Sequence, residues 1–254
     1  MYNEARLLSL ISVELKFKTL NDYNINGENI MKKLISKFLS VVMIVTISVP
    51  FAVASEPAAV AEEESSVSYN VGYMSDYWYR GVYQSESAVS FGADYENGGF
   101  YLGTWWADVD TGLEHDYYAG YGFSAMGADL YFGATGYYYT DNFDSDYEEV
   151  NMGIAMGAVS VDHSTGKYKT ATNDSYQYTS ISLALDGVGL PLTLAVGAWG
   201  GDTLKGNVWT VDYSTTLSGV DVGLQVGKNS EGITASAAKY KDTTFAVFTL
   251  GYSF

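Results

Sequence analysis

The chain has no cysteine, only three prolines and two histidines, and 13 basic residues against 30 acidic ones. The missing cysteine excludes a disulfide framework and a thiolate metal site. His115 and His163 stand at no metal-ligand spacing, and a hydrolase triad would need one of them in a fixed array. Asp162, His163 and Ser164 are adjacent, but neighbours on a strand point to opposite faces and cannot assemble such an array. Both histidines are therefore read as rim or loop residues, with no catalytic residue, metal or other cofactor expected. The formal charge of −17 argues against nucleic acid as a partner. Long apolar runs are missing too. The longest, Phe38 to Phe51, falls short of the roughly 20 residues a membrane-spanning helix needs, which excludes a helical bundle of the inner membrane.

What the chain has in quantity is tyrosine (23) and glycine (27), a balance that favours strands, aromatic belts and tight turns. The last stretch, Phe245 to Phe254, is the most telling. One face carries Ala246, Phe248, Leu250, Tyr252 and Phe254, and the other mainly Val247, Thr249, Gly251 and Ser253. Strict period two means a strand between unlike surroundings. An apolar face of this size is stable against lipid, with the polar side turned into a lumen. Ending on an aromatic residue, where soluble chains fray, points the same way.

The alternation recurs along the chain. Val67, Tyr69, Val71 and Tyr73 oppose Ser68, Asn70 and Gly72, and Val89, Phe91, Ala93 and Tyr95 oppose Ser90, Gly92, Asp94 and Glu96. Further strands are expected at 100–109, 116–124, 129–138, 149–156, 159–165, 178–185, 192–199, 209–217 and 220–227. The register of the first of these is ambiguous, and 159–165 is the weakest. Tight turns at Asn97-Gly98, Met126-Gly127, Gly157-Ala158, 186–190 and Ser218-Gly219 alternate with longer polar segments near 81–87, 110–114, 140–147, 166–175, 201–206 and 228–242. Short turns on one side, long loops on the other and an even strand count predict an all-β fold, a transmembrane antiparallel barrel of about 12 strands.

The amino end predicts export. Met31-Lys32-Lys33 and Lys37 form a basic region, the apolar run follows, and small residues then stand at Ala52-Val53-Ala54 and Ala59-Val60-Ala61. That order is a secretory signal peptide over 31–61, cut after Ala54 or Ala61, with the barrel over 62–254. Residues 1–30 show no period, and Gly27-Glu28 is encodable as a ribosome-binding sequence ahead of a Met31 codon. Translation is expected to start at Met31.

Two blocks bear a resemblance. Ser75-Asp76-Tyr77-Trp78-Tyr79-Arg80-Gly81-Val82-Tyr83-Gln84-Ser85 resembles the S-D-Y-x-x-R-G-x-x-Q-S block of the TorF-type porin family, and Gly99 to Trp105 resembles that family's second block. The resemblance implies a small outer-membrane barrel of Gram-negative bacteria with pore function. The ending on Phe254 resembles the signal by which such proteins reach the barrel assembly machinery.

Charge supplies the candidate site. Asp94, Glu96, Asp116, Asp129, Glu149, Asp212 and Asp221 fall on the polar faces of their strands, and Asp76 and Arg80, four apart, are placed on one face where they can pair. These are the candidate pore-lining residues. Carboxylates without basic partners are costly to dehydrate, which argues for a wet lumen. The acidic run Asp141 to Glu149 lacks the spacing of an EF-hand loop and is read as a solvated loop. Two functions remain. One is a porin-like channel passing small solutes or cations. The other is a closed barrel whose loops bind a partner or lipopolysaccharide, with Tyr118, Tyr131, Tyr178 and Trp199 plugging the interior or stacking a solute.

Overall fold

The computed structural model describes residues 65–202, 204–233 and 240–254, so the expected signal segment 31–61, its two candidate cleavage points and the expected start at Met31 lie outside the described residues. Fourteen strands follow in order: β1 (Ser66–Met74), β2 (Tyr77–Tyr79), β3 (Val82–Ser85), β4 (Ala88–Asn97), β5 (Phe100–Asp108), β6 (Leu113–Ala125), β7 (Ala128–Tyr139), β8 (Tyr147–Met156), β9 (Val159–Tyr168), β10 (Ser175–Ala184), β11 (Leu192–Gly201), β12 (Gly206–Leu217), β13 (Val220–Asn229) and β14 (Thr244–Ser253). Twelve of them, β1 and β4 to β14, close into one antiparallel barrel, and β2 and β3 pair only with each other. Closure leaves no free edge in the wall.

The first and last strands make the seam, with Asn70 opposite Ser253 and Met74 opposite Thr249. Phe254 extends it: its N–H donates to the Tyr69 carbonyl at 3.0 Å, and the Tyr69 N–H donates to the Phe254 carbonyl at 2.9 Å. Phe254 therefore helps to complete the barrel.

Period two puts apolar side chains outside. Val71, Phe91, Leu102, Tyr121, Phe132, Val150, Ile181, Leu194, Val211, Leu224, Phe248 and Leu250 are all exposed on the outer wall. A continuous surface of this kind is stable against hydrocarbon and not against water. Aromatic rings gather near both ends of it. Trp106 lies 5.6 Å from Phe91 and 4.8 Å from His115 toward the long-loop side. Tyr252 and Tyr69 each lie 5.9 Å from Phe254 toward the short-turn side. Two such girdles mark the levels where a bilayer meets water.

Three details differ from the sequence reading. The register of β5 is resolved, with Phe100 and Leu102 exposed and Tyr101, Gly103, Trp105 and Ala107 on the more covered, inward face. The first tight turn sits at Gly98-Gly99, one residue later than expected, because both take positive φ (58° and 80°). Both histidines lie on wall strands and not in loops: His115 stands in the aromatic girdle near the long-loop rim, while His163, in mid-strand, hydrogen-bonds Thr179 Oγ1 through its ring at 2.9 Å.

Candidate functional site

The segment between β1 and β4 does not continue the wall. It turns inward as the small β2-β3 hairpin, with Tyr79 opposite Val82 and a two-residue tip of Arg80 and Gly81. Both tip residues have positive φ, 49° and 79°, the pattern of a type I′ hairpin turn. A Cβ on Gly81 would meet Val208 of β12 at 2.8 Å, so only glycine allows this approach to the far wall. A left-handed conformation costs Arg80 about 1–2 kcal/mol, so something must offset it.

Glu149 on β8 does. Arg80 Nη1 donates to Oε2 and Nη2 to Oε1, both at 2.9 Å, and both side chains have no exposed area. Charge-assisted bonds are worth about 1.5–3 kcal/mol each, and the further partners of both groups offset the cost of burying the two charges. Nη2 also donates to Ser164 Oγ on β9 at 2.9 Å. Glu149 accepts further from Tyr137 at 2.8 Å, Tyr176 at 2.9 Å and Asn151 Nδ2 at 2.6 Å. The guanidinium lies over the rings of Tyr79, Tyr178 and Trp199, at 4.7, 4.9 and 5.7 Å. The tip backbone is held as well: Trp199 Nε1 donates to the Arg80 carbonyl and Asn229 Nδ2 to the Gly81 carbonyl, each at 2.9 Å.

The rest of the hairpin is fixed at its base. Ser75 N–H donates to the Phe248 carbonyl and Phe248 N–H to Ser75 Oγ, both at 2.9 Å, while Asp110 N–H donates to the Gln84 carbonyl at 3.3 Å. A lone two-stranded hairpin is marginal in water. Here Trp78, Tyr79 and Val82 pack against a buried cluster that includes Tyr137, Tyr147, Tyr176, Tyr178, Trp199, Val208 and Phe245. The block Ser75 to Ser85 is thus a constriction laid across the long-loop half of the lumen.

This corrects one expectation. Asp76 and Arg80 do not share a strand face and do not pair, because the chain leaves the wall at Ser75. Asp76 stays at the outer mouth, where Ser75 Oγ is 3.4 Å away, and Arg80 takes its partner from β8.

The other candidates keep the inward face of the wall. Asp94 accepts from the hydroxyl of Tyr118 and from Asn70 Nδ2 at 3.2 Å. Asp212 accepts from Thr210 Oγ1 at 2.7 Å and Gln225 Nε2 at 2.6 Å. Asp129 and Asp221 lie toward the short-turn end, accepting from Ser124 and Thr216 hydroxyls at 2.6 Å, and Glu96 is exposed at the same end. Asp116 is buried beside the hairpin.

Two inward carboxylates were not among the candidates. Glu114 belongs to β6 rather than to the preceding loop and is 1% exposed, accepting from the Tyr139 hydroxyl at 3.2 Å. Asp162, noticed only for its neighbours, faces inward on β9 at 4% exposure. Glu114 Oε2, Asp116 Oδ1 and Asp162 Oδ2 have no hydrogen-bond partner among the described residues. Among the described residues Arg80 pairs with Glu149 and reaches Asp162 through its field, while Lys169 pairs with Glu148 at 2.6 Å and Lys228 with Asp242 at 2.8 Å, all four of the latter on exposed positions.

A closed, lipid-facing antiparallel barrel with an acidic interior and an inward constriction is the class these features define. Residues 58–251 match the family described as "Bacterial protein of unknown function (Gcw_chp)", and the chain belongs to that family. The TorF-type likeness is not what this match names. No curated protein matches the chain at a significant level. Among solved structures, the chain is similar to one titled "KdgM porin", at 10% identity over 75% of this chain and 98% of that one, with a TM-score of 0.47. It is also similar to a protein solved in a study of in-meso crystallization of membrane proteins, at 10% identity over 74% and 83% of the two chains, TM-score 0.49. A third is OccAB1 of Acinetobacter baumannii, at 11% identity over 67% of this chain and 58% of that one, TM-score 0.42.

Proposed function

We propose that the protein is an outer-membrane channel of narrow bore, passing small polar solutes and cations by passive diffusion past the inward hairpin. The observation that carries this reading is the set of inward carboxylates Asp94, Asp129, Asp212 and Asp221, which keep accessible area on the lumen face and pair with no basic side chain in the ion pairs found among the described residues. Carboxylates are costly to dehydrate, so four of them left accessible on the inner wall fit a water-filled passage and not a dry, packed interior. With Arg80 neutralised by Glu149, the carboxylates Asp94, Asp129, Asp212 and Asp221 set the sign of the lumen field. A negative lumen concentrates cations and slows anions. The long loops then face the cell exterior, among the lipopolysaccharide headgroups, and the short turns face the periplasm.

The signal-like order of residues over 31–61 supports export, and the alternating seam strand up to Phe254 supports delivery to the barrel assembly machinery. The resemblance of 75–85 and 99–105 to TorF-type porins supports the same assignment. No catalytic role is needed, since passive diffusion requires no nucleophile, base or cofactor.

The second reading, a closed barrel that binds a partner through its loops, is favoured by the packing of Trp78, Tyr79 and Val82 against the interior rings. Liposome swelling separates the two. Vesicles holding the folded, heat-modifiable barrel swell in small sugars and stop swelling as the sugar grows, if the channel reading holds. A folded barrel that gives no swelling with any solute favours the closed one.

A further inference from the structure

The outer face of the hairpin builds a second feature that conduction does not use. Trp78 stacks on Phe245 with ring centres 4.2 Å apart and planes tilted by 7°, and Tyr83 stacks on Tyr240 at 4.1 Å. The indole meets both tyrosines edge to face, at 5.3 and 5.8 Å. These four rings come from the hairpin, the last long loop and β14, and they wall a cavity of about 400 Å³ at the long-loop mouth. Asp76, Glu86 and Asp110 line the same cavity, and no lysine or arginine is among its described lining residues.

The chemistry narrows the occupant. Three carboxylates repel anions. A small metal ion is strongly hydrated and seeks a close shell of oxygens, for which aromatic walls are of no use. A neutral solute would stack on the rings but gain nothing from the carboxylates. A weakly hydrated organic cation uses both, since ring faces attract positive charge and the acids supply the counter-charge.

We propose that this cavity is a binding site for a small organic cation, a quaternary ammonium or protonated amine, with Trp78, Tyr83 and Tyr240 as its aromatic walls and Asp76, Glu86 and Asp110 as its charged rim. Asp76 then serves the mouth and not the lumen wall. The site stands independently of conduction, because capture at the mouth needs no open path beneath it.

The test is calorimetric titration of the barrel folded in detergent with choline chloride, at constant ionic strength set by sodium chloride. The neutral isostere 3,3-dimethylbutan-1-ol is the control. Choline should bind saturably at one site, with the alcohol about tenfold or more weaker, since only the charge differs. Tyr83→Leu and Asp110→Asn should each weaken choline by about tenfold in protein whose heat-modifiable mobility is unchanged. Equal binding of choline and the alcohol overturns the proposal. So does the absence of saturable choline binding in the folded barrel, displacement of choline by equimolar sodium, or full affinity in Tyr83→Leu. None of these readouts involves current, so they fail or succeed apart from the channel reading.

Discussion

Arg80 and Glu149, 69 residues apart in sequence, meet in a two-point ion pair inside the barrel, 2.9 Å at each end and shielded from solvent at both side chains. The pair joins a segment that has left the wall to a strand on the far side. Breaking one partner of such a buried pair is costly, at about 3–5 kcal/mol, because it strands the other charge.

The first prediction concerns that latch. Glu149→Gln leaves Arg80 in place as a trypsin site but removes its counter-charge. Cleavage after Arg80 in the folded barrel should accelerate by at least about tenfold, a change of 1.4 kcal/mol or more in opening. Arg80→Met combined with Glu149→Gln should restore more denaturant resistance than the sum of the single losses predicts. Additive losses, or an unchanged cleavage rate, would mean the hairpin is held by its backbone bonds and ring packing and not by the ion pair.

The second concerns the lumenal acids. Replacing Asp94, Asp129, Asp212 and Asp221 together by Asn should reduce the preference for potassium over chloride. The same preference in the unmodified protein should fall as salt rises, since screening acts over about 10 Å at 0.1 M. Reversal potentials at low and high salt measure both. A preference unmoved by the four substitutions would place selectivity at the hairpin or the loops.

Phe254 carries the third. Its backbone closes the seam with Tyr69, and its ring stands beside Tyr69 and Tyr252. Phe254→Ser keeps the backbone bonds and loses the ring, so outer-membrane levels should drop and envelope stress should rise while secretion is unaffected. Phe248→Ser removes an ordinary outer-wall aromatic and should do less. Equal losses of folded protein from the two variants would deny the terminal residue a special role.

The fourth is a pH effect at a loop. Asp202 accepts from Ser175 Oγ at 2.7 Å and from Ser175 N–H at 2.8 Å, and these bonds hold its carboxyl below the usual carboxylate range. A lowered pKa means the tie is complete above the unfolded value and is lost as pH falls through the folded one. Protection of the Ser175 amide, corrected for intrinsic exchange, should therefore be constant at neutral pH and decline below about pH 4. Asp202→Ala should show the low protection at every pH.

The wall of the barrel was readable in the sequence because period two is a local signal. Val89, Phe91 and Ala93 against Ser90 and Gly92 need no distant information to be assigned a face. The hairpin was not readable for the same reason. Tyr77-Trp78-Tyr79 and Val82-Tyr83 carry the aromatic and β-branched character of a wall strand, and nothing local says that they pair with each other inside the lumen. An arginine at positive φ is an uncommon turn signal, and only the following Gly81 hinted at the tip. Glu114 was hidden by the Asp-Thr-Gly-Leu stretch before it, which reads as loop, although β6 already begins at Leu113. The Arg80 partner is a matter of topology: β8 becomes opposite to the first loop only when the strands close.

The most direct test of the whole account is the reversal potential of single channels in a planar bilayer under a potassium chloride gradient. The unmodified protein is compared with one in which residues 75–87 are replaced by a short turn. The account predicts small, potassium-preferring conductance in the first and larger, still potassium-preferring conductance in the second. Anion preference in either protein would contradict it, and so would the absence of current in both despite correct folding.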